Sequence, residues 1–246
     1  MIRTLAALTA LVTLGACAPA TTPSTELVVF AASSLSDTYT RLGTTFEAAH
    51  PGVTVRFSFD GSSTLVDQLR QGGPADVLAT ADAPTMDKAT AADLMSGAPS
   101  LFATNTLTLI VPKGNPAGIT GLDSSLDGKK LVVCGVGVPC GTATTTLAAL
   151  DGVTLRPASQ ETKVTDVRAK VESGQADAGV VYVTDARASG SKVDTIAIPK
   201  ADQVKNPYLV GVVATSKNPG LASQFIALVT GSEGRKVLSG AGYGLP

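Results

Sequence analysis

Three segments place small residues, hydroxyls and glycine where an apolar run gives way to helical spacing: Phe30-Ala31-Ala32-Ser33-Ser34-Leu35, Phe59-Asp60-Gly61-Ser62-Ser63-Thr64-Leu65 and Val138-Pro139-Cys140-Gly141-Thr142. At a helix start the first N–H groups lack an internal partner and the positive end of the helix dipole faces outward. Amides and hydroxyls therefore converge where an anion could sit. Small side chains let the backbone approach a ligand closely. Any one junction is better explained by Ser as an ordinary N-cap; three in one chain point to a shared site. An ion met only by neutral donors must be a pure acceptor, because a ligand proton facing an N–H or O–H stays unsatisfied. Sulfate-like dianions meet that condition near neutral pH, whereas phosphate retains a proton and requires a carboxylate or another acceptor.

Such junctions need strands that end where helices begin. Val28-Val29-Phe30 reads as a buried strand, and Leu35, Tyr39, Leu42 and Phe46 share one helical face that stops at His50-Pro51-Gly52. Val53, Val55 and Phe57 alternate as the next strand, Leu65, Val66 and Leu69 mark a short helix, 75–79 a third strand and 84–95 another helix. This βαβ repetition predicts an α/β fold with mainly parallel sheets flanked by helices and a ligand beyond the carboxyl ends of the strands. A second series follows a strand over 107–111. It comprises a strand at Leu131-Val132-Val133, a helix over 142–150, Val164, Val167 and Val171 on one helical face, and a strand over 178–182. A strand over 208–213 and helices over 221–229 and 233–238 close the chain. Two lobes are expected, the first from 26–104 and 206–246, the second inserted as 105–205.

The amino terminus has a different character. Arg3 precedes an apolar run, 5–14, that is too short to span a bilayer but suits the core of an export signal. It ends in Leu14-Gly15-Ala16-Cys17, which resembles a bacterial lipobox; cleavage after residue 16 would leave Cys17 first and lipidated. Residues 17–25, rich in Thr, Pro and Ala, then form a tether, and the chain is exported and held on the outer face of the cell membrane. Setting Cys17 aside leaves Cys134 and Cys140, six positions apart in an exported protein, either as a disulfide or as two buried thiols. With 44% hydrophobic and 16% charged residues among 246 the chain must fold around a core. Lys and Arg total 19 against 20 Asp and Glu, which gives no footprint for nucleic acid. One His, no Trp and 4% aromatics disfavour His-based catalysis and base- or sugar-stacking sites.

The segments Val29-Phe30-Ala31-Ala32-Ser33-Ser34-Leu35, Gly61-Ser62-Ser63-Thr64-Leu65, Pro74-Ala75-Asp76-Val77, Val138-Pro139-Cys140-Gly141, Thr165-Asp166-Val167-Arg168 and Ala178-Gly179-Val180-Val181-Tyr182 occur in an ordered set. That set resembles the molybdate-binding proteins of bacterial ABC transporters, from about Leu27 to Tyr243. The resemblance implies a two-lobed periplasmic-binding-protein fold, type II, closing over a tetrahedral oxyanion with no compensating positive side chain. It implies Ser34 and Ser62 as ligands from the first lobe, and Cys140, Val167 and Tyr182 from the second. Ser34 and Ser62 would offer hydroxyls and amides, Cys140 and Val167 main-chain N–H groups, and Tyr182 its phenol. Molybdenum would enter only as bound molybdate, with tungstate as the close analogue, no cofactor, a monomeric receptor and an ABC permease as partner. Selection against sulfate would rest on cavity size.

Asp60 is the discordant residue, since a carboxylate beside Gly61-Ser62 would repel a dianion and could receive a phosphate proton. Arg41, Lys163 and Arg168 are expected on a solvated face. Other readings are a receptor for sulfate or phosphate, and a serine hydrolase. The hydrolase would depend on His50 in a turn, or on Ser189-Gly190-Ser191-Lys192, which matches S-x-x-K without its companion motifs. The chain is therefore read as a binding protein and not an enzyme.

Overall fold

A computed structural model describes residues 24–246. The export signal, Cys17 and most of the tether lie outside the described residues. The described residues contain ten strands: β1 (Thr25–Ala32), β2 (Val53–Asp60), β3 (Val77–Thr80), β4 (Ser100–Asn105), β5 (Leu107–Pro112), β6 (Leu131–Cys134), β7 (Ser159–Glu161), β8 (Ala178–Tyr182), β9 (Val193–Ile196) and β10 (Asn206–Val212). They form two five-stranded sheets, ordered β2-β1-β3-β10-β4 and β7-β6-β8-β5-β9. The chain passes from the first sheet to the second at Thr106, between β4 and β5, and returns between β9 and β10.

The βαβ units seen in the sequence are the parallel part of each sheet: β1 beside β2 and β3, and β6 beside β7 and β8. The strands that carry the chain between lobes run against them. β10 is antiparallel to β3 and β4, and β5 to β8 and β9. Each sheet is thus half parallel rather than mainly so, because no crossover helix joins these strands to their sheet neighbours.

Helices α1 (Ser36–Ala49), α2 (Ser62–Arg70), α3 (Ala83–Ala91), α4 (Pro139–Leu150), α5 (Val164–Glu172), α6 (Val183–Ala188), α7 (Pro219–Thr230) and α8 (Ser232–Ala241) cover the sheets. α3 stops short of the expected residue 95, as Asp93 takes a left-handed φ of 56°. Helical spacing explains what each face buries. Leu35, Tyr39, Leu42 and Phe46 pack with Phe225 and Leu238 on one side of the first sheet, while Leu65, Leu69 and Met86 fill the other. Val164, Val167 and Val171 enter the core of the second lobe with Leu109 and Val180. Burying a side chain of this size contributes about 1.5–3 kcal/mol, so each lobe carries its own hydrophobic core and the space between them is left to polar groups.

Candidate functional site

The carboxyl ends of β1, β2 and β8 and the amino ends of α2, α4 and α5 meet between the two sheets. They border a small cavity, of about 10 Å³, lined by Ser34, Gly61 and Ser62 from the first lobe and Cys140, Val164 and Tyr182 from the second. Both lobes therefore supply donors to one small space, which fits the position expected for a ligand in open α/β sheets.

Ser34 lies in a single 3-10 turn, Ser33–Leu35, between β1 and α1, and Ser62 is the first residue of α2. Neither hydroxyl caps its helix, so ordinary N-capping does not explain the two serines. Ser62 is buried, and its Oγ accepts the Ala81 N–H at 3.0 Å. The Ser62 proton is consequently free for an acceptor in the cavity. Pro139 opens α4 and has no N–H, which makes the amide of Cys140 the first one without an intrahelical acceptor. Cys134 and Cys140 are joined by a disulfide, with Cα atoms 5.7 Å apart, tying the start of α4 to the end of β6.

Tyr182 ends β8 with its side chain fully buried, and its Oη has no hydrogen-bond partner within 3.5 Å among the described residues. Burial, reinforced by the Asp82 and Asp185 carboxylates, holds this phenol well above its ordinary pKa, so it remains a protonated donor. An unpaired buried donor costs about 1–3 kcal/mol, which an acceptor placed in the cavity would recover.

Val167 departs from expectation. It is the fourth residue of α5, where an α-helix commits the N–H to the N-cap carbonyl, and its buried side chain faces Gly179 of β8 rather than the cavity. Val164, the first residue of α5, borders the cavity instead and offers the uncommitted amide. No capping residue marks that helix start along the sequence, since its N-cap is Lys163 and makes no side-chain cap bond.

Among the charged neighbours, Arg168 and Lys163 differ from expectation and Arg41 does not. Arg41 is exposed. Arg168 is only 21% exposed in its side chain and sits 3.9 Å from Asp37 and 3.5 Å from Glu172. Lys163 is half-buried and borders the cavity, as does Asp60 from the opposite lobe. Asp60 Oδ1 accepts the Gly61 N–H at 2.8 Å. A carboxylate and an ammonium, one from each lobe, thus accompany the neutral donors.

Contacts across the cleft describe a closed arrangement. Ser63 Oγ donates to the Gly137 carbonyl at 2.7 Å, Arg168 reaches Asp37, and Gly61 lies so close to the Thr162 carbonyl that a β-carbon there would overlap it. The residues of the hydrolase reading lie elsewhere. His50 bonds Phe46 O and Gln224 Oε1, both at 2.8 Å, and Ser189 Oγ donates to Asp185 O at 3.2 Å.

The family described as bacterial extracellular solute-binding protein matches residues 27–244. The chain is 44% identical over 243 residues to the molybdate-binding protein ModA of Mycobacterium tuberculosis, covering 96% of this chain and 93% of that one. It is 32% identical over 208 residues to the protein of the same name from Escherichia coli, covering 78% and 79%. Among solved structures, the periplasmic molybdate-binding protein of Azotobacter vinelandii superposes with a TM-score of 0.79 at 20% identity, covering 89% of this chain and 99% of that one. The sulfate-binding protein SubI of Mycobacterium tuberculosis gives 0.75 at 20% identity, covering 89% and 86%. These two share the fold. With the family match extending over nearly all of the described residues, the chain belongs to the bacterial extracellular solute-binding proteins.

Proposed function

We propose that this protein is the molybdate receptor of an ABC transporter, capturing molybdate or tungstate between its lobes and presenting the closed form to a permease. The single observation that carries this reading is the cavity itself. Ser62 with a free proton, Tyr182 with an unpaired phenol and the leading amides of α4 and α5 converge from both lobes on one small space. A tetrahedral dianion offers only acceptors to such a set. Because the donors are divided between lobes, the ion lowers the free energy of the closed form more than that of the open one.

In this reading the chain acts as a monomer without cofactor or catalytic activity, lipid-anchored through Cys17 outside the cytoplasmic membrane. Asp60 at the rim favours a second reading, a phosphate receptor, since its remaining carboxylate oxygen could accept the phosphate proton. Calorimetric titration with molybdate, tungstate, sulfate and phosphate decides between them. The expected order places molybdate and tungstate far ahead of the other two. Tightest binding of phosphate would overturn the metalate assignment.

A further inference from the structure

We propose that Asn105 and Tyr208 are positioning residues that fix the direction of the Ser34 hydroxyl and so bias the site against protonated oxyanions. The inference rests on the oxyanion-receptor reading and adds residues that do not border the cavity.

The direction is set at the crossover between lobes. The Thr106 N–H donates to Asn105 Oδ1 at 3.0 Å, which settles which end of the amide is oxygen. Asn105 Nδ2 therefore faces the other way, donating to Thr184 Oγ1 of α6 at 2.8 Å and approaching Tyr208 Oη at 3.5 Å. An amide nitrogen cannot accept a hydrogen bond. Tyr208 is fully buried, and burial together with the neighbouring Tyr182 and Tyr243 keeps its phenol protonated. The acceptor within its reach is Ser34 Oγ, 2.8 Å away. Tyr208 must then donate to Ser34, and Ser34 cannot return the bond. Its own proton is left for the cavity, which Ser34 borders.

Every hydrogen in this chain runs the same way, from Asn105 through Tyr208 and Ser34 to the ligand. A hydrogen phosphate or hydrogen arsenate ion that placed its proton here would meet an O–H. Ser34 could accept that proton only by turning its own away from an acceptor. At this end of the cavity polarity therefore opposes protonated ions of the right size, which cavity dimensions alone would admit, and leaves such a proton to the Asp60 carboxylate at the rim.

The test uses the whole protein, Tyr208→Phe and Asn105→Asp. Removing the phenol hydroxyl frees Ser34 to accept. The aspartate does so by drawing the Tyr208 proton to itself, and it serves if the Phe variant fails to fold. Two pairs matched in size, sulfate with phosphate and selenate with arsenate, compete against bound molybdate at mildly acidic pH, where the second member of each pair carries a proton. In both variants the protonated member should gain at least about tenfold relative to its partner, while molybdate itself weakens. A merely structural role would weaken all anions by one common factor. An unchanged ratio, or failure of all four anions to compete in the variants, would overturn the inference. A wild-type chain that binds neither molybdate nor tungstate would instead overturn the receptor reading, and direct titration of the two pairs would still decide the ratio.

Discussion

Gly61 offers the sharpest perturbation of closure. Its φ of -60° and ψ of 135° are open to any residue, so glycine is not required there for backbone freedom. What alanine lacks is space. Its β-carbon would enter the Thr162 carbonyl of the opposite lobe, and restoring normal contact needs the lobes to part by roughly 1 Å. Hydrogen bonds across the cavity that are near 2.8 Å when the lobes are shut would then exceed hydrogen-bonding range. Losing one or two charge-assisted bonds, at about 1.5–3 kcal/mol each, weakens binding by roughly tenfold to ten-thousandfold. The open form is untouched, and replacing glycine at a compatible conformation stabilises its lobe by about 0.4–1 kcal/mol through the unfolded chain. Gly61→Ala should therefore lower molybdate affinity by calorimetry while leaving the ligand-free Tm equal or slightly higher. Wild-type affinity in this variant would mean that the ligand is not held in the closed arrangement described here.

Three further outcomes are expected. Tyr182→Phe removes the unpaired phenol hydroxyl and should weaken molybdate binding by about 1.5–3 kcal/mol in calorimetry with no loss of ligand-free stability; equal affinity would remove Tyr182 from the ligand set. Asp185 is buried with Oδ2 unpaired, and burial, opposed by Arg168 and aided by Asp37, raises its pKa from 3.8 to about 7. Since the folded form binds this proton more tightly than the unfolded chain, its contribution is fullest below about pH 4. It is lost as the pH rises to about 7, by up to about 4 kcal/mol. Urea unfolding across that window should show a decline that Asp185→Asn flattens, and identical slopes in the two proteins would contradict it. Lys163→Met should cost less than about tenfold in affinity, with the wild-type and variant values converging as salt is raised. A hundredfold loss would mean that the ammonium, and not the neutral donors, holds the ion.

Local patterns were enough to define the repeated βαβ units and to point to serines at helix starts. Leu35, Tyr39, Leu42 and Phe46 lie together because spacing alone sets a helical face, and the apolar runs of β1, β5 and β8 can only be buried strands. The short edge strands β7 and β9 left no such trace, because three or four half-polar residues make sense only beside a neighbour already in place. Tertiary structure decided the site. The exchange of Val167 for Val164 depends on where α5 begins, and the place of Lys163 depends on which way the second lobe faces the first. The chain from Asn105 through Tyr208 to Ser34 joins residues more than a hundred positions apart in part, and no pattern along the sequence encodes it. The amino-acid order by itself determined which groups could donate to an anion, since that is a property of each residue and its helix position. The direction in which those donors point, and how many share one space, was fixed only when two separately packed lobes closed against each other.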